Sequence, residues 1–549
     1  MRNGRRPRPV TATEEEHVPV ARRTALRATV GLLAAVALAP AVGQGSASAV
    51  VTVPASFSFA GSGWGHGVGM SQYGARGMAQ DGFTAAAIVQ HYYVGATVAP
   101  VADTMNLRVN LLHRRTSAVF RTEALVAGGG GIEVTVTGSA PVVGTSADLW
   151  SVASGNGVVT LRRTHAGVTK IVGTGKFVVI RWAGTRSPGH AGTRATVLNL
   201  TSSVAGLASS GHRYRYGWVD IGTTLAAPTS FEAVNSLRVH DEYLLGLGEM
   251  PSSWPAAALQ AQVLAARSYA LARYGTGTYR STCRCHVDSG HGPYWDQSFL
   301  GWVKESSAGG ALWRAAVVAT NATSTTGRAI VSGGKPITAF YFSASGGRTQ
   351  GSQDVWGGTL SYAQSVDDHW SMAASVPWSS WIPRVRTQAQ VAAAFGLANV
   401  ARLDLRSRTV GGGVRYAIAY SASGAAATIT GEQLRARLSL PSTWINGVTD
   451  TATGTAAALV PAPRPVVTPP PTSGTKVVPV AVKYPGRPFG RGAVGAPVAE
   501  IQRHLGFSRG LGRFSASTAL RVKYAQIRAG LRGTGVVDGR TWVRITGHR

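Results

Sequence analysis

The segment VPAPRPVVTPPPTSGT, running from Val460 to Thr475, sets the first limit on how this chain folds. Proline fixes φ and removes the amide donor, so a stretch this rich in Pro and Thr packs no core and favours extended polyproline geometry. It is a linker. A long region precedes it, and a small module returning to helical periodicity, Tyr484 to Ile545, follows it. With 549 residues, 44% of them hydrophobic, the chain is long enough for two or three domains, each with its own core.

The first 49 residues read as an export signal. Arg22 and Arg23 stand in the n-region, a Leu/Ala/Val run extends from Leu32 to Ala39, and Ala47-Ser48-Ala49 supplies an A-x-A cleavage site. The apolar run is too short for a permanent membrane span, and the paired arginines leave both the general and the twin-arginine routes open. The expected location is secreted, at the cell wall. A formal net charge of +30 draws the protein to polyanions, which outside a cell are wall polymers and lipid headgroups. The basic residues are scattered rather than gathered on one periodic face, and no helix-turn-helix, finger or RNA-binding pattern occurs, so nucleic acid is not expected as a partner. Two cysteines are too few for a disulfide scaffold.

Short alternating runs such as GIEVTVTG, GVVTLRR and KFVVIRWAG, separated by Gly/Ser/Asp turns, fill the region from Leu107 to about Asp220 and are β signals. The stretch from Phe231 to Val448 mixes one clear helix with further strands, and a Gly-rich loop followed by a short helix around Phe83 to Tyr93 precedes both. The expected class is α+β. Its divisions are an export signal at 1–49, a Gly-rich segment at 50–100 and a β-rich insertion at 101–204. A mixed core at 205–448, a Pro/Thr-rich linker at 449–483 and a C-terminal module at 484–549 complete it.

Glu249 is the only carboxylate between Tyr243 and Val287. Ser252, Ser253 and Pro255 are helix start signals, and Leu259, Val263, Ala266 and Ala270 then recur at helical spacing as a buried stripe. Burial penalises the charged form of an isolated acid and keeps it protonated, as a general acid requires; a helix N-terminus close behind it pulls the other way. The plain alternative is an acid that pairs with Arg267 or Arg273.

HDEYLLGLGEMPSSWPAAALQAQVLAARSYAL resembles the core motif of the SpoIID/LytB (stage II sporulation protein D) family. Three further blocks agree: GSGWGHGVGMSQYGARGMAQDGFTAAAIVQHYY, STCRCHVDSGHGPYWDQSF and TTGRAIVSGGKPITAFYFSASGGRTQGSQDVWGG. The resemblance implies a lytic transglycosylase that cuts peptidoglycan glycan strands, with Glu249 as its catalytic acid. One carboxyl can serve both steps: it protonates the MurNAc–GlcNAc bond, then takes the proton of the carbon-6 hydroxyl as a 1,6-anhydro ring closes. Hydrolysis normally needs two carboxylates. The rival implication is a non-enzymatic, LytB-like modifier that stimulates a cell-wall amidase, and a third is a structural wall-binding protein.

The resemblance also places supporting residues. His66, Ser71 and Gln72, in the Gly-rich block, are expected to line the cleft; the simplest members carry this block after the SASGG-like motif, so here the N-terminal segment must fold back. Ser343 and Ser345 are expected to bond sugar hydroxyls, Arg348 to meet muramic carboxylates, and Gln297 to bind substrate. Cys283, Cys285, His286 and His291 have ligand types for zinc, but the C-x-C spacing is unusual, and Asp296 stands where some members place a cysteine. A structural zinc ion and a strained Cys283–Cys285 disulfide are the two readings, and the chemistry requires no cofactor.

Beyond the linker, VAEIQRHLGF and GRFSASTALRVKYAQIRAGLRGTGVVDGRTWVRI resemble the peptidoglycan-binding type 1 pattern, a three-helix module. Its expected packing residues are Ile501, Leu505, Leu520, Val522, Tyr524, Ile527 and Trp542.

Overall fold

The computed structural model describes residues 52–192, 194–208, 212–290, 294–450, 456–457 and 482–547, the last with breaks at 506–511, 516–517, 520–521, 524, 527–528 and 530. The export signal, the Pro-rich segment, His291, Leu520, Tyr524 and Ile527 lie outside the described residues. Helices and sheets are mixed along the chain, and the fold is α+β.

Strands with alternating burial build two large antiparallel sheets. In Phe177–Trp182 every second side chain is buried, as expected of a strand with one face on a core. The first sheet runs Val287–Asp288, Asn106–Arg115, Ala227–Arg238, Trp218–Thr224, Phe177–Trp182, Ile132–Val136, Val142–Gly144, with only the first pair parallel. The second contains Val168–Gly175, Val158–His165, Leu149–Gly155, Ser117–Ala124, Thr196–Thr201 and Arg213–Tyr214. Phe120, Trp150 and Leu161 of the second sheet share one core with Val134, Ile180 and Ile221 of the first. The first sheet also crosses residue 204: Asn106–Arg115 bonds directly to Ala227–Arg238, so the β-rich region and the following core share a sheet.

The long helix is Ala256–Tyr274. It is buried on more than one stripe, because Gln72–Gln80, Ala85–Tyr92 and Gly310–Ala319 pack on it as helices and Thr326–Ser332 as a strand. Its small side chains, Ala258, Ala261, Ala265 and Ala266 among them, let these neighbours approach. Ser252 does not cap it: Pro255 takes the cap position, with no side-chain hydrogen bond, and its carbonyl accepts from Ala258 and Leu259. Arg267, fully buried on the helix, pairs with Asp103 at 2.9 Å and donates to Thr320 and Asn321.

The N-terminal segment joins strands from much later in the chain. Ser56–Gly61 lies between Arg384–Thr387 and Ile445–Asp450, Thr97–Ala102 pairs with Thr326–Ser332, and Met70–Ser71 runs parallel to Tyr341–Phe342. Close approach explains the glycines here. A Cβ on Gly69, whose φ is +79°, would sit 2.0 Å from the Phe340 carbonyl. Phe57 and Phe59 anchor a second core with Trp381, Phe395, Leu405, Leu434 and Ile445. In the C-terminal module, Ala496–His504 and Gly539–Thr546 are helices, Asp538 caps the latter, and Val498, Ile501, Phe514, Val522, Val537 and Trp542 form the core, with Leu505 packed against it.

Candidate active site

Glu249 follows a turn of helix, Leu244–Gly246, and precedes the long helix by a short loop that turns at Pro251. It is half-buried in a cleft of about 710 Å³. Ser289, Gly290 and Tyr294 to Ser298 line it from one part of the chain, and Trp64 to His66, Phe340 to Ser343 and Trp356 from two others. Two of these segments hold the acid through a single oxygen. Oε1 accepts from the Ser298 amide at 2.5 Å and from the Tyr341 hydroxyl at 3.0 Å. Among the described residues no protein donor reaches Oε2, so a proton on this carboxyl belongs there.

A chain of polar groups stands behind Tyr341. Tyr243 donates to Gln297 Oε1 at 2.7 Å, Gln297 Nε2 donates to the Tyr341 hydroxyl at 2.9 Å, and Tyr341 donates onward to Glu249. Every donor points towards the acid, and successive bonds of one polarity reinforce each other. Gln72 holds the Glu249 backbone, its Nε2 donating to the carbonyl at 3.1 Å.

Burial is the largest influence on Glu249 and raises its pKa; the Ser298 amide, the Tyr341 hydroxyl and the Lys304 charge oppose it without reversing it. Neither Arg267 nor Arg273 pairs with it. Arg267 is taken by Asp103, and the charged partner of Arg273 is Asp296. The cation that acts on Glu249 is Lys304, whose Nζ donates to the Met250 carbonyl at 2.6 Å and whose pKa burial pushes down to about 8. The other cleft carboxylate is already committed. Burial pushes Asp296 up, but Arg280, the Tyr269 hydroxyl and the Asp288 amide outweigh burial and hold it below its ordinary range.

Of the other residues singled out in the sequence, His66, Gln72, Gln297 and Ser343 line this cleft. His66 is neutral at pH 7: burial and then the Arg435 charge push its pKa down to about 4, and Nδ1 accepts from the Val68 amide. Gln297 spends its amide on Tyr243 and Tyr341, so it positions Tyr341 rather than offering free groups to a ligand.

Ser71, Ser345 and Arg348 are not in the cleft. Ser71 caps the Gln72–Gln80 helix by accepting from Gly74 and bonds Ser371. Ser345 donates to the buried carboxylate of Asp368, which Tyr92 and Ser371 also reach. Arg348 donates to the Ser365 carbonyl. The sulfurs of Cys283 and Cys285 are bonded to each other, so neither is a thiolate ligand, and His286 Nδ1 accepts from the Arg108 amide. Among the described residues no His, Cys, Asp or Glu cluster is disposed to hold a metal.

Residues 228–326 match the SpoIID family, stage II sporulation protein. The match encloses Glu249, the long helix, the disulfide and Ser298, and it stops short of Tyr341. Over 120 residues the chain is 31% identical to the amidase enhancer of Bacillus subtilis (strain 168). That stretch is 22% of this chain and 14% of that protein, so the chain spans about a seventh of the length of this curated relative. Among the described residues no helix is long and apolar enough to cross a membrane.

The sequence reading passed over Tyr341, Lys304 and Ser298. Tyr341 carried a usable signal, since it lies two residues before Ser343 in an extended run and shares its face. Ser298 acts through its backbone, which side-chain identity does not reveal.

Proposed function

We propose that this protein is an exported, cell-wall lytic transglycosylase whose Glu249 cleaves MurNAc–GlcNAc bonds of peptidoglycan glycan strands. The observation that carries this reading is one carboxyl of raised pKa in a large cleft whose other acid, Asp296, is held in ion pairs. A proton on Oε2 passes to the glycosidic oxygen as the bond from carbon 1 to that oxygen breaks. Glu249 is then a carboxylate, stabilised by the Ser298 amide and Tyr341 hydroxyl on Oε1. It takes the proton of the carbon-6 hydroxyl as that oxygen bonds to carbon 1, which closes the 1,6-anhydro ring and restores the acid. No second carboxylate is needed.

The C-terminal module, by its resemblance to peptidoglycan-binding type 1 sequences, serves as a tether that raises the local concentration of the cleft at an insoluble polymer. Its core packing around Trp542 is compatible with such a module.

The name of the Bacillus relative supports a second reading, in which the domain binds wall and stimulates a separate amidase. One experiment separates the two. Mature protein and its Glu249→Gln variant are incubated with purified glycan strands, with and without stem peptides, and the products are resolved by mass. Transglycosylase action yields 1,6-anhydro ends with the parent and background with the variant. Absence of such ends from both, together with faster stem-peptide release when a wall amidase is added, establishes the modifier instead.

A further inference from the structure

Trp295 combines two costs that folding does not repay. Its φ is +51°, a left-handed conformation that costs a non-glycine residue about 1–2 kcal/mol, and its side chain, among the largest apolar surfaces in the chain, is 78% exposed. Burial of the indole therefore does not hold the backbone in place. Asp288 does. Its fully buried carboxylate accepts four amides, that of Gly290 and the consecutive three of Tyr294, Trp295 and Asp296: Gly290 at 3.0 Å and Asp296 at 3.1 Å on Oδ1, Tyr294 at 2.8 Å and Trp295 at 3.1 Å on Oδ2. A buried anion is thus used to brace a turn whose product is an outward-facing ring.

The position of that ring is informative. Trp295 lines the cleft of Glu249, three residues before the Ser298 amide that binds the acid. The segments that carry Trp64 and Trp356 line the same cleft and present exposed rings of their own: Trp64, 41% exposed and 4.2 Å from Trp378, and Trp356, 46% exposed and 4.4 Å from Phe340. These exposed aromatic rings offer flat apolar faces in a cleft that also carries Gln72, Arg273, Ser343 and Arg435. A pyranose ring fits this, with its axial C–H groups on one face and its hydroxyls at the edge; an aliphatic or purely ionic ligand does not use both features.

We infer that Trp295 is a saccharide-stacking platform of the cleft and that Asp288 is its positioning residue. The inference rests on the glycan reading of this site and assigns the residue that grips a sugar beside the acid. Glu249→Gln protein, in which turnover is expected to be strongly reduced, is labelled with 5-fluorotryptophan, and the Trp295 fluorine resonance is assigned by its loss in Trp295→Phe. A stem-peptide-free GlcNAc–MurNAc tetrasaccharide is then titrated in. The Trp295 resonance is expected to shift saturably; in the variants that lack it, affinity is read by titration calorimetry and is expected to be about fivefold weaker in Trp295→Ala and largely kept in Trp295→Phe. Asp288→Asn is expected to move the free Trp295 resonance and to weaken binding similarly. Because the readout is residue-specific, binding elsewhere on the chain does not mask it. If Trp64 or Trp356 shifts while Trp295 stays fixed, the platform is refuted and the glycan reading survives. If no cleft tryptophan responds, both fall.

Discussion

Tyr341 donates its hydroxyl to Glu249 Oε1 across 3.0 Å, although 92 residues separate the two in sequence. The bond lowers the pKa of the acid, against burial, which raises it. Phenol and carboxyl therefore set the protonation of the cleft together. Removing the hydroxyl in Tyr341→Phe takes away a group that favours the charged form, so the pKa of Glu249 rises. The basic limb of the pH–rate profile, or of glycan binding if that is what titrates, is expected to move to higher pH in this variant.

Glu249→Gln is expected to reduce formation of 1,6-anhydro ends by roughly 10²–10⁴-fold, the range of general acid–base contributions. It should also change stability in a pH-dependent way. A carboxyl whose folded-state pKa is raised costs nothing while both states are protonated; the cost grows as pH climbs past the unfolded value and levels off above the folded one. The melting temperature of the variant relative to the parent should thus rise with pH from the ordinary glutamate range upward. A difference independent of pH would show that burial of the charge is not what this site maintains.

Ser345→Ala separates a structural role from a binding role. Ser345 donates at 2.6 Å to Asp368, whose pKa burial raises and whose charge depends on Ser345, Ser371 and Tyr92. Loss of one of these donors is expected to cost about 1–3 kcal/mol in denaturant unfolding, with glycan affinity nearly unchanged. A loss of affinity at full stability would return Ser345 to the cleft.

The disulfide closes a loop of only a few residues, sequence separation 2. Loop-closure entropy is correspondingly small, so a Cys283→Ser/Cys285→Ser double variant is expected to lose no more than about 1.5 kcal/mol. Thermal unfolding of the parent with and without reductant should give the same small difference, with no dependence on added zinc.

What the sequence disclosed follows the range of the forces involved. The long helix around Leu259 and Val263 and the strand FVVIRW were legible because periodicity is local. Glu249 stood out because an acid alone in an apolar stretch is a local anomaly as well. Ser345 and Arg348 misled for the opposite reason: their residue types suit sugar binding, but they lie just past the point where the chain leaves the cleft wall, and their partners Asp368 and Ser365 come from the following loop. The capping role of Ser71 was not legible, because a serine that caps a helix and one that binds ligand look alike until the helix is known. The adjacency of Asn106–Arg115 and Ala227–Arg238, which lie on either side of residue 204, was hidden for a related reason, since it is a long-range pairing that turn signals do not encode.

The indole of Trp381 donates to the Gly63 carbonyl across 318 residues of chain. Contacts of such span form late in folding, because the intervening chain must be ordered before they repay its closure entropy. A chain that ends before Trp381 therefore carries Glu249 and the Gly-rich segment without the bond that joins Gly63 to the later part of the domain. On the reading proposed above, such a chain is expected to show no glycan cleavage, so completion of the fold itself sets when the cleft can work.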